Sequence, residues 1–114
     1  MTEPNPSQTE PENKQQLVNQ INILEKNLQQ VTERRRSLEQ SLQELQSAEE
    51  HVHDTDQPMR LVGNLLVSQP KDELAAYVSD KKEEQERSLE NVKESEEKLQ
   101  DQLDDLKENF LDTD

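Results

Sequence analysis

Four residues over a short stretch, His51, His53, Asp54 and Asp56, are the ones whose types and spacing could hold a metal ion. Imidazole and carboxylate donors in an H-x-H-D-x-D pattern suit a borderline divalent cation. Yet the cluster sits where a long helical pattern ends, and His and Asp there serve termination and turn formation equally well. No metal site and no cofactor are therefore expected. Arg34-Arg35-Arg36 is the other candidate, as a phosphate-binding patch. It is a short basic island between acidic neighbours with no interleaved aromatics, which describes a solvated helix face. No nucleophile–base arrangement and no phosphate-cradling glycine loop is visible, and Gly63 is the only glycine. No enzyme activity is expected.

Composition narrows the class further. The chain has 114 residues, 27 acidic against 13 basic side chains, a net charge of -14 and 27% apolar content. So few apolar residues cannot fill a compact core for one domain of this length. The remaining choices are disorder or an elongated assembly that needs only a narrow apolar seam. The acidic balance disfavours nucleic acid, whose binding rests on neutralising phosphates. The longest apolar run, Leu74-Ala75-Ala76-Tyr77-Val78, predicts neither a membrane span nor a signal-peptide core. There are no cysteines, so disulfides and thiolate metal sites are excluded. A soluble, cytoplasmic protein is the expectation.

The order of residues decides for the seam. Leu17, Leu24, Val31, Leu38, Leu45 and Val52 recur every seventh position, with Ile21, Leu28, Arg35, Leu42 and Glu49 as the companion series. Alternating steps of four and three are the signature of a coiled coil. A second pattern has Ala75, Lys82, Leu89, Glu96, Leu103 and Phe110 at a, and Val78, Gln85, Val92, Leu99 and Leu106 at d. The spacing predicts helices over about 13–52 and 70–111, each roughly 60 Å long at ~1.5 Å per residue. Pro4, Pro6 and Pro11 among polar residues predict a disordered tail over 1–12, and 112–114 is a short acidic end.

The two heptad phases do not join, and Pro58, Gly63 and Pro70 occupy the gap. Pro70 suits the start of the second helix, where a missing N–H is harmless, and Asp72 and Glu73 favour the positive end. Met59-Arg60-Leu61-Val62 and Leu65-Leu66-Val67 flank Gly63-Asn64, a pair suited to the positive φ angles of a tight hairpin turn. Folding back at that turn sets Leu17 against Phe110, Ile21 against Leu106, Leu28 against Leu99 and Val52 against Ala75. Every a then faces a d. It also brings Arg35 near Glu96 and Glu49 near Lys82, so each seam charge has an opposite partner. The expected fold is mainly α: a long antiparallel two-helix coiled coil joined by one short β-hairpin.

Apolar residues outside the seam cluster at two places. At the tip are Val18, Ile23 and Leu111; at the base are Ala48, the hairpin, Leu74, Ala76 and Tyr77. Between them the shaft is polar. Ile23 and Leu111 bury nothing inside a two-helix hairpin, which marks the tip as a contact surface. A lone two-stranded hairpin is marginal in water, so the base calls for strands from other chains, joined into a closed barrel.

Helix, single hairpin, helix at this length resembles a beta-class prefoldin subunit. The most specific match is Arg60-Leu61-Val62-Gly63-Asn64-Leu65-Leu66-Val67 followed by Gln69-Pro70-Lys71-Asp72-Glu73. It is similar to the family's basic-Leu-aliphatic-Gly-x-aliphatic-Leu-Val segment and the opening of its second helix. The linker from Asp54 to Gln69 has room for one hairpin, whereas the alpha class would need two. The resemblance covers roughly 13–111 and is nearest to subunit six, then to subunit two and the archaeal beta subunit. Met59 stands where an aromatic is common and Asn64 where proline is common. The resemblance implies a hexamer of two alpha-class and four beta-class chains. Such a hexamer would capture non-native proteins, actin and tubulin among them, without ATP and pass them to a group II cytosolic chaperonin. Carried over by position, the client-binding residues are Leu17, Val18, Ile21, Ile23, Leu106, Phe110 and Leu111. The subunit-interface residues are Met59, Leu61, Val62, Leu65, Leu66, Val67, Leu74 and Tyr77. A structural coiled-coil adaptor that tethers specific proteins is the alternative expectation.

Overall fold

A computed structural model describes the backbone of residues 6–112 and the side chains of 13–112. Helix α1 spans Pro6–Val52, strand β1 Met59–Val62, strand β2 Leu65–Ser68 and helix α2 Lys71–Asp112. No helix among the described residues is long and apolar enough to cross a membrane.

Helix α1 ends at Val52 as its heptads predict, but it begins at Pro6, ahead of them. Of the expected tail over 1–12, residues 1–5 lie outside the described residues, and 6–12 have helical backbone. Proline is compatible with the first helical position because the N–H it lacks has no partner there in any residue. Residues 113–114 of the acidic end also lie outside the described residues. At the other terminus of α1 the main-chain N–H of Asp54 donates to the carbonyl of His51 at 3.1 Å, and that of Thr55 to Val52 at 3.4 Å. The Thr55 hydroxyl also donates to the His51 carbonyl, at 2.8 Å. These bonds satisfy carbonyls that a helix end otherwise leaves open.

Helix α2 starts one residue after Pro70, whose carbonyl accepts the first helical bond from Leu74 N–H at 3.0 Å. Pro70 is therefore the cap residue rather than part of the first turn, which holds Asp72 and Glu73.

The chain divides into two units. The helix-terminal unit pairs α1 up to Arg34 with α2 from Val92 onward; the hairpin unit runs from Arg35 to Asn91. In the helix-terminal unit Val92 and Leu103 are buried, and Leu17, Ile21, Leu24, Leu28 and Val31 are half-buried at their heptad positions. Lys107 reaches Glu25 at 3.5 Å, and the Thr32 hydroxyl donates to Glu96 at 2.7 Å. Rising numbers on α1 meet falling numbers on α2, so the helices run antiparallel here. The hairpin unit shows the same sense. Val52, Leu74 and Val78 form its core, with Leu45, Ala48, Ala75 and Tyr77 packed around it. Burying a Val or Leu side chain contributes roughly 1.5–3 kcal/mol, so this small cluster is the main apolar support near the strands. The expected pair forms between Lys82 and Glu49, at 3.4 Å. Arg35 bonds Glu39 on its own helix at 3.1 Å.

Seam burial is shallow in both units. Among the described residues no side chain is fully buried, and Leu103 in the seam retains 3% of its accessible surface. One seam polar atom lacks a partner: the Gln85 side-chain oxygen is buried without a hydrogen bond.

Candidate functional site

The hairpin is built by its turn. Strands β1 and β2 pair antiparallel, Met59 with Ser68, Arg60 with Val67, Leu61 with Leu66 and Val62 with Leu65, which leaves Gly63-Asn64 as a two-residue loop. Among the described residues only Gly63 takes a positive φ, 60°. A positive φ at the first turn residue alone is the pattern of a type II′ turn with glycine first. Main-chain N–H of Gln69 donates to the Pro58 carbonyl at 3.3 Å and closes the root of the hairpin.

Alternation along the strands puts Arg60, Val62, Leu65 and Val67 on one face and Met59, Leu61, Leu66 and Ser68 on the other. Both faces are apolar and both are open. Met59, Leu61, Val62, Leu65, Leu66 and Val67 retain between 46% and 70% of their accessible surface. The sheet has two strands, so each strand also keeps one edge of unpaired backbone groups. Of the other two expected interface residues, Leu74 is 6% exposed and belongs to the unit's own core. Its position on α2 places it against Val52 and Val78, so it supports the hairpin unit from within. Tyr77 is half-buried, with the Arg60 guanidinium 3.8 Å from its ring centre.

The helix-terminal unit offers a sparser surface. Ile23 and Leu111 are 59% and 73% exposed. Leu17, Val18, Ile21, Leu106 and Phe110 are half-buried in or beside the seam, and the Lys14 ammonium lies 5.9 Å from the Phe110 ring centre. The seven expected client-binding residues thus fall in one unit, but only two of them stand clear of the seam. Sequence reasoning did not find the Arg60–Tyr77 stack. The signal available was a single arginine in an otherwise uncharged hairpin and a single tyrosine early in α2.

Within the histidine–aspartate cluster the His51 ring is held locally. His51 shares a hydrogen bond between its ring Nδ1 and the Ser47 carbonyl, 2.7 Å, and the His53 carbonyl accepts from the Lys71 ammonium at 2.8 Å. Among the described residues no three His, Asp or Glu side chains are grouped to hold a metal ion.

The sequence profile of the prefoldin subunit family matches residues 15–111. The chain belongs to the prefoldin family. Its fold is that of the prefoldin beta subunit from Thermococcus strain KS-1, with a TM-score of 0.77 and 23% identity over 96% of this chain and 94% of that one. The prefoldin beta2 subunit from the same strain is 26% identical, with a TM-score of 0.71, over 77% of this chain and 97% of that one. With one hairpin between its helices, the chain is a beta-class prefoldin subunit, a component of a chaperone complex. A search of curated protein sequences returns no significant match.

Proposed function

We propose that this prefoldin subunit joins alpha-class and other beta-class subunits in a cytoplasmic hexamer. The hexamer captures non-native proteins without ATP and hands them to a group II chaperonin. Within the family, its place is that of a subunit-six-like chain. The observation that carries the reading is the open hairpin, where six large apolar side chains and two strand edges are presented together. An isolated two-stranded hairpin is at best marginally stable, and additional strands would cover exactly the surface left open. The interface residues are then Met59, Leu61, Val62, Leu65, Leu66 and Val67, with Tyr77 at the margin.

Client contact belongs to the helix-terminal unit. Ile23 and Leu111 are the exposed anchors, and Leu17, Val18, Ile21, Leu106 and Phe110 are shallow seam residues that fraying would uncover. Two apolar side chains give little affinity alone. Several subunits sharing one client multiply weak contacts by raising the effective concentration of each, which explains how capture can be promiscuous and reversible. Actin- and tubulin-like chains, which present extended apolar segments before they fold, are the client class.

The test is co-expression with an alpha-class prefoldin subunit, followed by native mass spectrometry and by light scattering of a client diluted from denaturant. A complex of six chains that suppresses scattering, while the lone chain suppresses little, is the expected result. A chain that stays alone, or that binds one folded target and leaves scattering unchanged, would instead mark a structural adaptor.

A further inference from the structure

The hairpin does not lie flat on the helices. A groove of about 390 Å³ separates them, with Met59 and Leu61 on the strand side and Ala48, Val52 and Leu74 on the helix side. At its root the hairpin is held by the Gln69–Pro58 main-chain bond and by the Lys71 ammonium on the His53 carbonyl. Bonds at the root fix where a two-stranded ribbon starts, but they leave its tilt free. The lateral contact is Arg60 on β1, whose guanidinium carbon sits 3.8 Å from the centre of the Tyr77 ring on α2. That separation is a stack, with the flat cation against the negative face of the ring. The chain carries 27 carboxylates for 13 basic side chains, yet this arginine is seated on the one tyrosine.

We propose that the Arg60–Tyr77 stack is a strut that sets the tilt of the hairpin on α2, and that both residues are positioning residues for subunit assembly. The inference rests on the assembly reading above. Strand pairing between chains requires edges about 4.8 Å apart with donors and acceptors in register. A ribbon free to swing meets that geometry only part of the time, and its apparent affinity falls by the fraction of time lost. Arginine suits the task better than lysine because its planar group can lie on a ring while its outer N–H groups stay hydrated.

The experiment uses the full chain mixed with an alpha-class prefoldin subunit, in the variants Arg60→Lys, Tyr77→Leu, the two combined, and Tyr77→Phe. In the lone chain, NMR reads the upfield ring-current shift of the Arg60 side-chain protons. In the mixture, the subunit concentration at half-assembly is read. The wild type should show the shift, and Tyr77→Leu should lose it with helix content unchanged. Arg60→Lys and Tyr77→Leu should each raise the half-assembly concentration about three- to tenfold, the range of a cation–π contact of this kind. Tyr77→Phe keeps the ring face and should assemble as the wild type does. The double variant should be no worse than the weaker single, since one contact cannot be removed twice. Additive losses, or normal assembly by Tyr77→Leu, would overturn the strut. Absence of the ring-current shift in the wild type would also overturn it while leaving the assembly reading intact. A wild type that shows the shift and never assembles would instead overturn the assembly reading, and with it the role given to the strut.

Discussion

The hairpin unit and the helix-terminal unit expose apolar surface in opposite ways. In the first, six large side chains crowd two four-residue strands and leave both faces and both edges open. In the second, Ile23 and Leu111 stand out from an otherwise shallow seam. A contiguous patch with unpaired backbone edges is stable in water only when covered, so it suits a permanent contact. Scattered single residues are tolerated in water and suit contacts that form and break. In the proposed function, the density of apolar residues is what separates the surface that holds the complex together from the one that holds a client.

The strongest way to break that contrast is to charge the hairpin. Leu61→Glu, Leu65→Glu and Val67→Glu together should abolish the full-size complex in native mass spectrometry, because a carboxylate without a partner is strongly disfavoured inside an apolar interface. Far-UV circular dichroism should keep its helical signal, since the seam is untouched. A triple variant that still enters a six-chain complex would remove the hairpin from the interface.

A second change probes the hairpin unit from inside. The Gln85 oxygen is buried with no partner, so Gln85→Leu should stabilise the lone chain by about 1–3 kcal/mol, read as a higher thermal midpoint. Assembly should be unaffected. A lower midpoint would mean that the amide holds the seam together in a way its geometry does not reveal.

Gly63→Ala is milder. A Cβ at that position meets nothing within 4 Å, so the penalty is conformational and comes from φ 60°. It should cost about 1 kcal/mol, or roughly a fivefold loss of assembly affinity, with unchanged helix content. Gly63→Asn should lose about as much, because the first position of a type II′ turn lies outside the left-handed helical region that asparagine tolerates. Assembly unchanged by Gly63→Ala would remove the positive φ from the account.

The smallest structural effect, and the sharpest functional one, is expected from Ile23→Ser with Leu111→Ser. Both lie off the seam, so stability should change by less than ~1 kcal/mol and the complex should stay whole. Suppression of client light scattering should nevertheless weaken clearly, because each lost contact is repeated across the assembly. Unchanged suppression would move client capture away from the helix-terminal unit.

Much of this architecture was legible because it is written in local patterns. The heptad steps through Leu17, Ile21, Leu24 and Leu28 are the very positions that lose exposure, and the Gly63-Asn64 pair fell at the observed turn. The Glu49–Lys82 pair followed from register once that turn was placed. Three features escaped for physical reasons. The start of α1 at Pro6 lies in a composition that usually favours disorder, and a proline at a first helical position is indistinguishable in sequence from one in a tail. Leu74, expected at the interface, packs with Val52 and Val78, and spacing along α2 does not report which neighbours it takes. The Arg60–Tyr77 stack depends on where two side chains from different elements are aimed, and no spacing rule reports that.

Among the described residues not one side chain is fully buried, so unfolding the lone chain hydrates little apolar surface that was dry before. Its heat-capacity increment should fall below the ~12–15 cal/mol/K per residue typical of globular domains. A small increment lowers the curvature of stability against temperature.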